Sequence, residues 1–212
     1  MLLAVLAVSL TDAQVVRRRP PTYYVPATGG GAGATYDSLA ANADRGFSDS
    51  DTDESLDFTS GVVGDYDGGQ GMIGFRFSVA ITQGATIDSA FLTVKTYNNQ
   101  TAAGDSFKIS IYDVANCDAF AEAHTHQLYD HHTPYTTHIY WLDNTGDGTI
   151  VSPDLKTLIQ QVISNESWAS GNYLGLLLRE DESGWAGKRV DFYSTETPFT
   201  AVTRPSLRIH YH

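Results

Sequence analysis

The 212-residue sequence contains one cysteine, Cys117, so no intrachain disulfide can brace it. Stability must come from packing, from a metal ion or from assembly. No run reaches the ~18–20 consecutive apolar residues that a membrane-spanning helix needs. Positive charge is scarce as well: 13 Lys and Arg stand against 25 Asp and Glu, a formal net charge of −12. A chain of that sign repels nucleic acid and anionic membranes, so neither is an expected partner. It suits calcium, basic proteins or uncharged sugars. The sequence also lacks a G-x-S-x-G elbow, a phosphate-cradling loop and an H-E-x-x-H helix, so no enzyme is expected.

Aromatic residues and glycine are plentiful: 12 Tyr, 9 Phe, 3 Trp and 19 Gly favour strands and turns over helices. In "GMIGFRFSV", Ile73, Phe75, Phe77 and Val79 alternate with Met72, Gly74, Arg76 and Ser78, the pattern of a half-buried strand. "IDSAFLTVKTY" sets Ala90, Leu92 and Val94 on one face, and "SFKISIYDV" does the same with Phe107, Ile109 and Ile111. Further strands are expected at "THIYWL", "YLGLLLR", "RVDFYS" and "SLRIHYH". One helix interrupts them. "SPDLKTLIQQVISN" puts Ser152 at the N-cap, Pro153 at N1 and Asp154 in the first turn. Leu155, Leu158, Ile159, Val162 and Ile163 then form an apolar stripe suited to closing an open end of a sandwich. The fold expected is all-β: a jelly-roll-like antiparallel β-sandwich over residues 35–212, with one short capping helix and an extended N-terminal arm over residues 1–34.

The segments "QGATIDSAFLTV", "PDLKTLIQQVISNESWASGNYLGLLL" and the closing "RPSLRIHY" carry a resemblance to a family of jelly-roll modules. These modules occur in secreted bacterial proteins and in phage virion proteins, and are similar to carbohydrate-binding modules. The resemblance spans about residues 44–211. It implies a sandwich fold and is compatible with adhesion, glycan binding and structural roles alike.

The arm has its own chemistry. "LLAVLAVSL", the turn "TDA" and "QVV" suit a strand pair, whereas a secretory signal would carry basic residues ahead of its apolar run. Here Arg17, Arg18 and Arg19 follow the run, so the segment is expected to be kept. "RRRPPTYYVPATGGGAGA" then mixes prolines, which favour extended backbone, with flexible glycines. Such a stretch serves as a linker, or as an arm laid on a neighbouring subunit with Tyr23 and Tyr24 as anchors and the arginines paired to an acidic surface.

Three stretches invite a ligand. "DSDTDESLD" and "DYD" offer carboxylates that could hold calcium or simply keep a loop solvated. In "DNTGDGTIVSPD", Asp143, Thr145, Asp147 and Asp154 fall at positions 1, 3, 5 and 12 of a calcium-loop template. The match is partial, because Asp154 replaces the usual Glu and no helix precedes the loop. "HTHQLYDHHTPYTTH" gathers five of the seven histidines, and His124, His126 and His131 could ligate zinc, although no spacing there fixes a tetrahedral site. For sugars, Trp185 in "EDESGWAGKR", with Asp181 and Arg189 beside it, is the candidate. Tyr140, Trp141 and Tyr193 are further candidate rings, whereas Trp168 is expected in the core.

Two functions follow from these features. The first is a non-catalytic structural protein on a virion surface, such as a capsid decoration or tail subunit, engaging copies of itself or other subunits through its arm. The second is a secreted, calcium-stabilised module that holds cell-surface polysaccharide.

Overall fold

A computed structural model describes residues 32–37, 45–48, 60–66, 69–100, 105–120, 128, 133–142, 147–181, 188–193 and 204–212. The strands are β1 (Ala32–Asp37), β2 (Arg45–Ser48), β3 (Ser60–Tyr66), β4 (Gly69–Ser78), β5 (Ile87–Tyr97) and β6 (Ser106–Tyr112). After them come β7 (Pro134–Leu142), β8 (Gly148–Val151), helix α1 (Lys156–Ile163), β9 (Tyr173–Glu180), β10 (Arg189–Tyr193) and β11 (Ser206–Tyr211).

The pairings are antiparallel and build one curled sheet of two layers. The first layer runs β1-β11-β5-β10-β3, with β8 on the opposite edge of β5. The second runs β2-β4-β9-β6-β7. Strand β4 belongs to both: Gly69 and Gly71 pair with β3, while Ile73 to Ser78 pair with β9. This is an all-β, sandwich-like fold.

Alternation explains the core. Ile73, Phe75 and Phe77 from β4, Phe107, Ile109 and Ile111 from β6, and Leu174, Leu176 and Leu178 from β9 face Ala90, Leu92, Val94, Leu207 and Ile209 across the layers, all in one buried cluster. Phe107 of the second layer meets Phe192 of the first edge to face, with ring centroids 5.8 Å apart. Helix α1 contributes Leu158, Ile159, Val162 and Ile163 to the same core and packs against β5 and β6, one strand from each layer. The expected capping helix is therefore present, but it begins at Lys156 rather than after Ser152. Ser152 Oγ instead accepts from the Leu92 amide and donates to the Pro153 carbonyl, and Leu155 N donates to Ala90 O. Residues 152–155 thus prolong the β8 pairing along β5, which delays the helix. Trp168 is buried, as its sequence context indicates, and donates from Nε1 to Ile81 O at 2.8 Å.

The outer face of the second layer departs from simple alternation. Every residue of β6 is buried, including Ser106, Lys108, Ser110 and Tyr112, which point away from the main core. A second cluster covers part of that face: Met72, Tyr112, Cys117, Phe120, Leu128 and Leu177. Glycines make the space for it. A Cβ on Gly74 would lie 2.6 Å from Phe120 Cζ, one on Gly46 would lie 2.5 Å from Leu128 Cδ2, and one on Gly175 would lie 2.5 Å from Cys117 Sγ. Gly46 and Gly74 are directly paired across β2 and β4. Polar bonds fix the cover in place: Tyr112 Oη donates to Leu128 O at 2.6 Å, Leu128 N donates to Ser48 Oγ, and Cys117 N donates to Tyr173 O. Arg76 stacks 3.9 Å over the Tyr173 ring and donates to Cys117 O.

Pro134 opens β7, which its missing amide donor permits at a strand start. β1 straddles position 34, so strand structure starts three residues before the expected domain boundary. Of the expected arm over residues 1–34, residues 1–31 lie outside the described residues.

The seating of Phe120 on Gly74 gives a direct expectation. Gly74→Ala destabilises the fold by about 1–3 kcal/mol through overpacking, and adding Phe120→Leu, which shortens the opposing side chain, recovers part of the loss. Urea unfolding of the single and double variants measures this. Strictly additive losses would mean that the two side chains do not meet.

Candidate functional site

On the outer face of the first layer, the ends of β5 and β10 bring aromatic and polar side chains together. Val94 and Thr96 point inward and are buried, so Lys95 and Tyr97 face out. The register pairs Asp191 with Tyr97 and Phe192 with Thr96, which sets Tyr193 beside Lys95 and diagonal to Tyr97. The two tyrosine rings lie 4.5 Å apart, tilted by 42°. Lys95 Nζ sits 5.2 Å from the Tyr193 centroid. Both tyrosines are half-buried.

Polar groups frame the rings. Asn98 adopts φ 53°, a left-handed conformation that Asn tolerates better than most residues, and turns the chain after Tyr97. Its Nδ2 donates to Asp191 Oδ2 at 2.8 Å, and its Oδ1 accepts from Gln100 Nε2 at 3.1 Å. Arg189 Nε lies 3.2 Å from Asp191 Oδ1, and Gln100 N donates to Arg189 O. Asp191 is buried, and a buried carboxylate is stable only when its charge is met, here by the guanidinium and the Asn98 amide. Arg189 keeps 31% of its side chain exposed.

The expected calcium loop is taken apart by β8. Asp147 stands just before that strand and accepts from Asn99 N at 2.8 Å. Asp154 stands beyond it, where Oδ1 accepts from Ala90 N at 2.9 Å and Lys156 N at 3.0 Å. Their partners are Ala90, near the start of β5, and Asn99, just past its end; from Ala90 to Tyr97 the strand alone rises by about 23 Å at ~3.3 Å per residue. Template positions 5 and 12 therefore do not share one ion. Asp143 and Thr145 lie outside the described residues. Among the described residues no group of three His, Cys, Asp or Glu side chains is placed to hold a metal ion.

His124, His126 and His131 lie outside the described residues, as do Arg17, Arg18, Arg19, Tyr23, Tyr24 and Trp185. Asp181 accepts from Ser106 Oγ on the second layer, whereas Arg189 belongs to the first, at the tyrosine pair. Among the other candidate rings, Trp141 is buried against Phe107, and Tyr140 is 53% exposed on β7 beside His138. Tyr135, at the start of β7, has its phenol pKa raised, first by burial and then by Asp113, so the group is held neutral. Tyr97, Asn98 and Gln100 carry no motif. They join the site only because a strand more than 90 residues later pairs with theirs, as the bond between Asn98 and Asp191 shows.

Two outcomes check these placements. Asp191→Ala unpairs Arg189 and Asn98 and lowers stability by about 2–3 kcal/mol, while Asp191→Asn, which keeps an acceptor for the Asn98 amide, loses less; thermal melts compare them. If calcium sits on Asp143 and Asp147, chelator lowers the Tm of the wild type and leaves that of the double Asn variant unmoved. No protein-family model matches the sequence, and no curated protein does either.

Proposed function

We propose that the chain is a non-catalytic structural protein, a phage virion component of the decoration, surface or tail type, that joins its neighbours through residues 1–34. The observation carrying this reading is the position of β1. It is the end strand of the first layer, paired to β11 with Ala32 opposite Tyr211. Residues 1–31 therefore join the sandwich at a sheet margin. A segment attached there can run to a neighbouring subunit while the core stays closed. The Pro, Gly and Arg content of that segment suits an extended arm on an acidic partner, and another copy of this chain, at −12, is acidic. The resemblance to jelly-roll modules of virion proteins supports the same reading.

The alternative, a secreted calcium-stabilised carbohydrate-binding or adhesion module, shares the sandwich and differs in the fate of the first residues. Intact mass and N-terminal sequencing of the natural protein separate the two: a start at Met1 or Leu2 keeps the arm, and a start near Gln14 marks an export signal.

The assembly reading predicts that deleting residues 1–31, which spares β1, leaves a folded but monomeric sandwich. Light scattering coupled to size exclusion, run beside the full chain, measures this. A truncated protein that assembles as the full chain does would overturn the reading.

A further inference from the structure

We propose that the outer edge of β7 is the surface on which the arm docks, taking up residues 2–10 of a second copy as an added strand. This rests on the assembly reading above and names what the arm meets. Strand β7 ends the second layer, and among the described residues β6 is its one strand partner. A strand with a single neighbour presents a row of amides and carbonyls with which another chain can pair. Its further bonds are local or made by side chains. His138 Nδ1 lies 3.0 Å from Thr136 O, Thr137 Oγ1 accepts from Gln161, and Tyr135 meets Asp113 and Asn165. Among the described residues, those of β7 form no hydrogen bond beyond these and the pairing with β6.

The edge also lacks the usual protection. Edge strands commonly carry Lys, Pro or a bulge that turns pairing away. Pro134 and the register shift between Ser110 and Tyr112 interrupt the start of β7, but from His138 to Leu142 the register with β6 is regular. The strand holds no Lys, Arg, Asp or Glu, and most of its residues are β-branched or aromatic, side chains that favour strands. The core is unfinished there as well. Tyr135 and Ile139 pack against the main cluster yet are only half-buried, whereas Trp141 beyond them is buried. Inward residues of an added strand would lie beside these two and complete the margin. The other end strands offer less. β8 is four residues long and soon meets Pro153, β2 is buried at every residue, and β1 is the strand from which the arm departs.

Residues 2–10 fit this edge. They match β7 in length and, like it, carry no charge. All but Ser9 are apolar, so whichever face turns inward offers apolar groups to Tyr135 and Ile139. Residues 11–31, extended at ~3.3 Å each, span about 70 Å from β1, long enough to reach a neighbouring copy.

The test places cysteines in a Cys117→Ala background, which removes the one native thiol. A chain with cysteine at Val5, Leu6, Ala7 or Val8 is co-expressed with a Tyr140→Cys chain, and mild oxidation is followed by non-reducing electrophoresis. At least one arm position is expected to crosslink to Tyr140→Cys, and none to Thr149→Cys on β8. No crosslink from any of the four overturns the site. With both cysteines on one chain, a disulfide confined to monomers overturns docking between copies. Tyr140→Cys chains that crosslink only to each other mark pairing of two β7 strands and overturn the arm as occupant. Ile139→Lys, which turns a charge into the margin, should weaken association of the full chain about tenfold in light scattering, with circular dichroism establishing that it folds. If a folded Ile139→Lys associates as the wild type does while the chain lacking residues 1–31 is monomeric, the site falls and the assembly reading stands. If removing residues 1–31 changes nothing, both fall. If Ile139→Lys does not fold, the crosslinks decide.

Discussion

Strand β4 is the member on which the two layers depend. Its first residues pair with β3, and its remainder lies between β2 and β9. A register slip of one residue on β4 would turn Ile73, Phe75 and Phe77 out of the core and bring Gly74 and Arg76 in. The same slip would carry Gly74 away from Phe120, so the inner core and the outer cover both assume one register. Two independent packing surfaces on the faces of a single strand specify that register more strongly than either would alone. The tyrosine face sits on the other layer, and its geometry follows from the pairing of β10 between β5 and β3, which β4 closes off.

Much of the framework was legible because period-two alternation is strong where one face meets the core. Ile73, Phe75 and Phe77, or Ala90, Leu92 and Val94, announce both a strand and its buried side. The stripe of α1 was equally plain. Strands β1, β2, β3 and β8 were not, since "AGATYD", "RGFS", "SGVVGDY" and "GTIV" are short and rich in Gly, Ser and charge. Their partners decide their conformation, and pairing between distant segments leaves little local mark. The helix start was misplaced for a related reason: Ser152 looks like a cap, yet its hydroxyl serves β5.

The site was the least legible part. Template matching grouped Asp147 with Asp154 by their spacing in sequence, and an extended strand separates them. Arg189 was chosen for its nearness to Trp185 and Asp181, while its bonds run to Asp191 and, through that residue, to Asn98. A loop motif is local, whereas a sheet surface is assembled from residues far apart along the chain.

The edges of β5 have a kinetic consequence. One edge is occupied end to end by β11 and β10, the other by β8 and the segment leading into α1. Leu92 pairs with Leu207, so the central strand of the first layer waits for partners made more than a hundred residues later. During synthesis β5 therefore emerges long before β10 and β11 can occupy that edge. Loop closure of that length makes for slow folding, and a nascent chain released early would leave that edge of β5 open to other chains. Efficient production of this protein thus depends as much on shielding an orphaned middle strand as on the stability of the finished sandwich.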